Sequence, residues 1–304
     1  MLKVGVIGCG AMGKGIVKNF VKAGYEVFVF DPNPQVIPWI KEIGAVFSGT
    51  LKDIAEAVDI MVSSLPTTDI VRQSYIGENG VFNSLKKGSI IIDMSTTDAE
   101  TAIDLAKVAE ELGLLFYDCP VSGGPAGADS GTLTIMVGGN IQEYEKVLPI
   151  LEVVGEEVFY IGESGAGQIT KLCHNMVVAS TIVSLGEALI VAKKAGVEPE
   201  KVAEVFAKGT ANRVLNVFGE NILNNQYDNV LFSLNHMHKD IWLYTKTAIS
   251  EEVPSFIGST VFQLYESAKA TGKGNLDATA VCQILEELAS TAVSSGYSKV
   301  IHEK

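Results

Sequence analysis

The stretch that most constrains the fold is residues 2–31. LKVGVIG reads as a buried strand, Gly8-x-Gly10-x-x-Gly13 as a tight turn, AMGKGIVKNFVKAG as a helix and YEVFVFD as a second strand ending at Asp31. Each glycine answers a different demand: Gly8 permits the turn, Gly10 lets backbone approach a pyrophosphate, and Gly13 lets helix and strand pack closely. The helix start at Ala11 and Met12 then offers unbonded N–H groups and the positive end of the macrodipole to an anion. A bare glycine pattern of this kind arises by chance. Strand, helix, second strand and terminal acid together predict a dinucleotide site. Asp31 also selects the cofactor, because a carboxylate accepts from ribose hydroxyls and repels a 2′-phosphate. Pro32 and Asn33 supply no arginine for that phosphate, so NAD is expected in preference to NADP.

Alternation continues through the first half of the chain. Strands are predicted near 45–48, 59–65, 89–94, 114–118, 133–138 and 157–161, with helices over 34–43, 51–57, 67–74, 98–112 and 141–151. Near-continuous apolar strands between helices indicate a largely parallel, doubly wound sheet. Ligands of such sheets bind beyond the carboxyl ends of the strands, which makes Leu65, Pro66, Ser95 and Thr96 cofactor-contact candidates, with an ordinary turn role as the alternative. Residues 117–131, YDCPVSGGPAGADSG, read as a loop too rich in glycine and proline for a helix. Ser122, Gly123 and Gly124 there offer a hydroxyl and consecutive N–H groups suited to a carboxylate, although a plain loop is the simpler reading.

After about residue 163 strand signals vanish. Helices are predicted over 165–196, 198–208, 213–223, 234–250, 254–271 and 276–289, and the tail from Ser290 is expected to be mobile. The domains are therefore a Rossmann-type unit, 1–163, and an all-helical unit, 164–304. No acidic or basic residue lies between Lys171 and Glu187, so the first of these helices is expected to be buried on most of its circumference. A membrane span is weighed and set aside, because the uncharged run falls short of the ~20 apolar residues required. Gly167, Lys171 and Asn175 at i, i+4 and i+8 share one face, so Lys171 and Asn175 can point into one site. The helix alone favours the plainer reading of Lys171 as a surface lysine whose stem lies on apolar neighbours.

A formal charge of −13 argues against nucleic acid or an anionic membrane as partner, while leaving room for a small carboxylate held by one or two local cations. The N-terminal residues lack the pattern of a secretory signal, and a cytoplasmic protein is expected. Cys9, Cys119, Cys173 and Cys282 form no CxxC pair, and His236-x-His238 lacks a third ligand at metal spacing, so neither a disulfide framework nor a metal is expected.

Four segments, VGVIGCGAMG, DCPVSGGPAGADSGTLTIMVGG, GQITKLCHN and HKDIWL, together resemble the β-hydroxyacid dehydrogenase family of 3-hydroxyisobutyrate dehydrogenases and tartronate semialdehyde reductases, relatives of 6-phosphogluconate dehydrogenase. The resemblance runs through nearly the whole chain in order. It implies an N-terminal Rossmann domain and a helical C-terminal domain joined by a long helix. It also implies Lys171 as catalytic acid/base with Asn175 beside it, Ser122, Gly123 and Gly124 on the substrate carboxylate, and Lys239 near substrate and nicotinamide. Leu65, Pro66 and Thr96 fall on its cofactor contacts, and a homodimer or homotetramer is implied. The chain departs from the family pattern at His174, where many members carry a second asparagine, and at Thr97-Asp98-Ala99, which lacks the proline common there.

The expected reaction is reversible hydride transfer between nicotinamide and a small 3-hydroxy acid of the 3-hydroxyisobutyrate kind. A solvated lysine titrates near ~10.4, so base catalysis at neutral pH calls for burial or a nearby cation. A tartronate, succinic semialdehyde or glyoxylate reductase of the same family is the alternative substrate class. A sensor that binds NAD without turnover is the alternative of another kind, disfavoured by Lys171, Asn175 and the Ser122 segment occurring together. An imine reductase on the same fold usually lacks the lysine. Tyr265 and Lys269 match the Tyr-x-x-x-Lys pair of short-chain dehydrogenases, but they lie in the helical region, far from the sheet that would present them.

Overall fold

The computed structural model describes residues 2–208 and 212–294. Of the tail expected to be mobile, 295–304 lie outside those residues. The chain divides into two compact units, Met1–Lys171 and Leu172–Lys304.

In the first unit the elements run β1 (Lys3–Ile7), α1 (Ala11–Lys22), β2 (Glu26–Phe30), α2 (Ile37–Glu42), β3 (Val46–Phe47), α3 (Leu51–Ala57), β4 (Ile60–Ser63) and α4 (Thr68–Ile76). They continue with β5 (Ile90–Asp93), α5 (Ala99–Glu111), β6 (Leu115–Asp118), β7 (Val121–Ser122), α6 (Gly124–Ser130), β8 (Leu133–Gly138), α7 (Tyr144–Leu151) and β9 (Gly155–Gly162). The nine strands form one sheet in the order β3-β2-β1-β4-β5-β6-β8-β7, with β9 also on β8. Strands β1 to β6 pair in parallel, and β8 reverses against β6 and β7. The order changes direction between β1 and β4, which opens a crevice at their carboxyl ends. Val4, Val6, Ile60, Val62 and Ile92 are fully buried in the core on one face, while Ile7, Met61 and Ile91 join the core on the other. A side-chain period of two delivers successive strand residues to opposite cores, so these strands carry no polar stripe.

One local reading in this unit needs correction. The stretch expected to be a loop contains β7 and the helix α6. Proline is tolerated in the first turn of a helix, where its missing N–H has no partner to lose, and Pro125 occupies that place. Gly123 and Gly124 make the entry at φ +131° and +63°, conformations that side chains resist.

The second unit consists of helices: most of α8 (Ala166–Lys194), then α9 (Pro199–Lys208), α10 (Asn212–Leu223), α11 (Leu234–Ser250), α12 (Phe256–Ala270) and α13 (Cys282–Ala289). Ile182 and Leu189 of α8 pack with Ile222, Leu234, Ile241 and Tyr265 in its core. Gly186 permits α8 to touch Cys282, since a Cβ there would run into the cysteine sulfur. The expectation of burial on most of α8 is not met: half of its apolar window is buried, and Val177 and Val191 are exposed. By length and composition α8 is also long and apolar enough to cross a bilayer, contrary to the length estimate from the charge-free run. A lack of charge does not enforce burial, because Thr170, Ser180 and Thr181 bond their own hydroxyls to carbonyls four residues back.

Candidate active site

In the first unit the glycine turn lies at the end of β1, at the mouth of the crevice. Gly8 sits at φ +93° and its N–H donates to the Phe30 carbonyl at 2.9 Å, which seats the turn against β2. A Cβ on Gly13 would enter the Gly8 carbonyl, so the start of α1 lies directly on the turn. A Cβ on Gly10 would meet nothing within 4 Å, and α1 has no side-chain cap. The result is an open helix start with unbonded N–H groups at Ala11 and Met12, shaped for a phosphate. Asp31 follows β2. Its carboxylate accepts from Cys9 N at 2.7 Å and from Asn33 N at 2.8 Å, which fixes it beside the turn. This cradle fits a dinucleotide.

Across the crevice, Leu65 follows β4 and Ser95 follows β5. Leu65 N donates to Ser95 Oγ at 2.9 Å, and Ser95 N donates to the buried carboxylate of Asp93 at 3.0 Å. Asp93 also accepts from Ser63, whose hydroxyl accepts from Tyr75, so a buried polar chain holds the ends of β4 and β5 in register. Ser122 pairs with Thr134 on β8 at the edge of the sheet, and α6, entered through Gly123 and Gly124, packs across α1. At that crossing Asn19 Nδ2 donates to Ala128 O at 2.8 Å, and Gly15 leaves room for the α6 backbone. The Ser122 turn is thereby tied to the helix that begins the cofactor cradle.

The first turn of α8 is seated by groups the sequence did not single out. Asp118, at the end of β6, accepts from Gly165 N at 2.8 Å and from Gln168 N at 3.0 Å. Gly167 leaves no gap: a Cβ there would stand 2.5 Å from Met136 O and 2.7 Å from Asp118 O. The Gln168 carboxamide accepts from Thr97 N at 3.0 Å and donates to Ser95 O at 2.9 Å. Lys171 follows on the same helix and is buried. Burial raises the Asp118 carboxyl to about 7, against the pull of its two backbone donors, and the nearby Asp93 charge adds to the rise.

In the second unit Asn175, one turn beyond Lys171 on α8, is also buried. Its Nδ2 donates to Asp240 Oδ2 at 2.6 Å, and Asp240 Oδ1 lies 3.0 Å from Lys239 Nζ. The acidic member of this pair is buried, with Asp240 1% exposed. His174 Nδ1 lies 3.0 Å from Asn175 Oδ1, so the residue that departs from the family pattern orients the asparagine from its other side. Lys239 also lines a cavity of about 450 Å³ with His238, Trp242, Phe262, Glu266 and Lys269, where His238 pairs with Glu266. Tyr265 is fully buried in the helical core, which removes the short-chain dehydrogenase match. Among the described residues there is no metal-binding cluster, and the four cysteines are unbridged.

Comparison with known proteins agrees with this arrangement. Residues 3–162 match the model of the NAD-binding domain of 6-phosphogluconate dehydrogenase. Residues 165–285 match the NAD-binding domain of NADP-dependent 3-hydroxyisobutyrate dehydrogenase. The 2-(hydroxymethyl)glutarate dehydrogenase of Eubacterium barkeri is 34% identical over 297 residues, 97% of this chain and 98% of that one. The mitochondrial 3-hydroxyisobutyrate dehydrogenase of Rattus norvegicus is 35% identical over 93% of this chain and 87% of its own. A crystal structure of 3-hydroxyisobutyrate dehydrogenase from Salmonella typhimurium superposes with a TM-score of 0.86 at 28% identity, covering 93% of this chain and all of that one. With a nicotinamide-dinucleotide cradle, a helical second unit and a long helix between them, the chain belongs to the β-hydroxyacid dehydrogenase family, oxidoreductases that act on CH–OH groups.

Proposed function

We propose that the protein catalyses reversible, NAD-linked oxidation of a small 3-hydroxy acid, 3-hydroxyisobutyrate or a close analogue, with Lys171 as general acid/base. The observation that carries this reading is Lys171 itself, buried one turn before an asparagine that Asp240 and His174 hold in place. When bound, nicotinamide supplies the hydride acceptor for oxidation and the donor for reduction. Lys171 takes the hydroxyl proton in oxidation and returns it in reduction. Asn175 orients Lys171 or the reacting oxygen, Ser122, Gly123 and Gly124 bind the carboxylate, and Lys239 stands near substrate and nicotinamide. Gly8, Gly10, Ala11, Met12, Gly13, Leu65, Pro66 and Thr96 hold the cofactor, with Asp31 favouring NAD over NADP.

The Eubacterium barkeri relative supports a second substrate reading, 2-(hydroxymethyl)glutarate, whose additional carboxylate would suit the lysines of the helical cavity. In the same proposal the enzyme is a cytoplasmic homodimer or homotetramer with no nucleic-acid or membrane partner. Exposed Val177, Val191, Phe256 and Ile257 support self-association.

Absorbance assays with NAD(H) and NADP(H) against 3-hydroxyisobutyrate, 2-(hydroxymethyl)glutarate, tartronate semialdehyde, succinic semialdehyde and glyoxylate test the assignment. Lys171→Ala should lose roughly 10²- to 10⁴-fold in turnover while still binding NADH in a fluorescence titration. Unchanged turnover in that variant rejects Lys171. No turnover on any substrate, with NAD still bound, promotes the sensor reading.

A further inference from the structure

We propose that Gln168 is a positioning residue, whose carboxamide locks the turn of α8 that carries Lys171 to the Ser95–Thr97 segment after β5. The inference rests on Lys171 being the acid/base of the reaction.

Gln168 is 0% exposed. A buried amide is costly unless both of its ends are bonded, and here both are, to partners 71 and 73 residues away. The partners also fix its orientation. Exchanging oxygen and nitrogen would set donor against the Thr97 N–H and acceptor against the Ser95 carbonyl. Thr96, a cofactor-contact candidate, lies between the two bonded residues. Ser95 carries the restraint on to Leu65 through its hydroxyl. On the helix side Gln168 stands three residues before Lys171, on the adjoining face.

Starting the helix does not require this side chain, because Asp118 already accepts the Gly165 and Gln168 N–H groups. The carboxamide instead fixes the rotation of α8 about its axis relative to the loops expected to grip the cofactor. A lysine must meet the reacting hydroxyl within a fraction of an ångström, and a misplacement of about 1 Å can cost ~10² in rate.

Gln168→Met preserves volume and removes both bonds, while Gln168→Glu keeps an acceptor for Thr97 and loses the donor to Ser95. With the best substrate of the panel, Gln168→Met should lower kcat by roughly 10- to 100-fold per folded molecule, with the KM for the hydroxy acid changed by less than about 3-fold. The deuterium isotope effect on kcat should rise, and Gln168→Glu should fall between the two. In a Lys171→Ala background the same change should alter the residual rate by less than about 3-fold, because Gln168 acts through Lys171. Amide exchange should quicken together at residues 94–99 and 165–171, a readout that needs no substrate. Losses that simply multiply in the double variant, or unchanged exchange at 94–99, overturn the proposal. If Lys171→Ala alone keeps full turnover, the acid/base assignment has failed, and the exchange result still decides whether the carboxamide joins the two segments.

Discussion

Two helices start in the first unit in the same manner and end up with opposite chemistry. Both α1 and α8 start at glycines pressed against backbone carbonyls, Gly13 on Gly8 and Gly167 on Met136 and Asp118. In both places a carboxylate at a strand end accepts a backbone N–H from the entering turn, Asp31 from Cys9 and Asp118 from Gly165. The difference lies in where the carboxylate stands. Asp31 is partly exposed and braces the turn from the side, leaving the start of α1 open. Asp118 is fully buried and takes Gln168 N as well, so the start of α8 is filled by the protein's own acid. An open helix start receives a ligand's phosphate, and a filled one anchors the helix. The first unit thus uses one device to bind and once more to hold the helix that carries Lys171.

The largest effect is expected at the open start. Gly13→Val forces β-branched bulk into the Gly8 carbonyl, so α1 must withdraw from the turn. NADH fluorescence titration should find cofactor binding lost, with unfolding in urea easier by about 3 kcal/mol, the upper end of overpacking costs. Retained tight binding would mean that the turn yields, and the reading of this start as a preformed cradle would fall.

Gly167→Ala makes the matching test at the filled start. A Cβ 2.5 Å from Met136 O must push α8 outward, at about 1–3 kcal/mol. The glycine turn is untouched, so NADH should still bind while kcat falls. Equal loss of binding and turnover would show that the two starts do not act separately.

The two starts were not equally legible in the sequence. Gly8, Gly10, Gly13 and Asp31 lie in one contiguous strand-turn-helix-strand segment, and their roles follow from local backbone geometry. The seat of α8 joins residues 47 to 73 positions apart, and neither Asp118 nor Gln168 belongs to a spacing pattern. Tertiary pairing alone reveals them. Asp240 carries no local signal of its role, since its burial and its bond to Asn175 depend on the packing of α11. Several helices start at polar caps, Thr50, Thr67, Asp98 and Ser233, each accepting a backbone N–H of its first turn. Helix α6 was hidden because its glycines and Pro125 signal a loop, whereas here they shape a helix entry.

The effect that separates the two carboxylates most directly is on the pH dependence of stability. Helix-start N–H groups favour the charged form of Asp118, yet burial outweighs them and lifts the carboxyl from 3.8 to about 7. The native state therefore holds a proton on Asp118 that the unfolded chain has released over the window from about 4 to about 7. Wherever the native state binds more protons, stability falls as pH rises, so this group's contribution is complete below its unfolded value and is lost as pH climbs through about 7. Asp118→Asn cannot ionise. It should remove a downward slope on the order of 1 kcal/mol per pH unit across that window, leaving a less stable protein at pH 5 whose urea midpoint changes less toward pH 8. The difference between variant and parent isolates Asp118 from Glu286, whose carboxyl is also raised by burial. Parallel midpoint curves for the two proteins would show that the N–H groups win after all. The start of α8 would then hold a permanent anion, differing from the start of α1 only in whose anion it is.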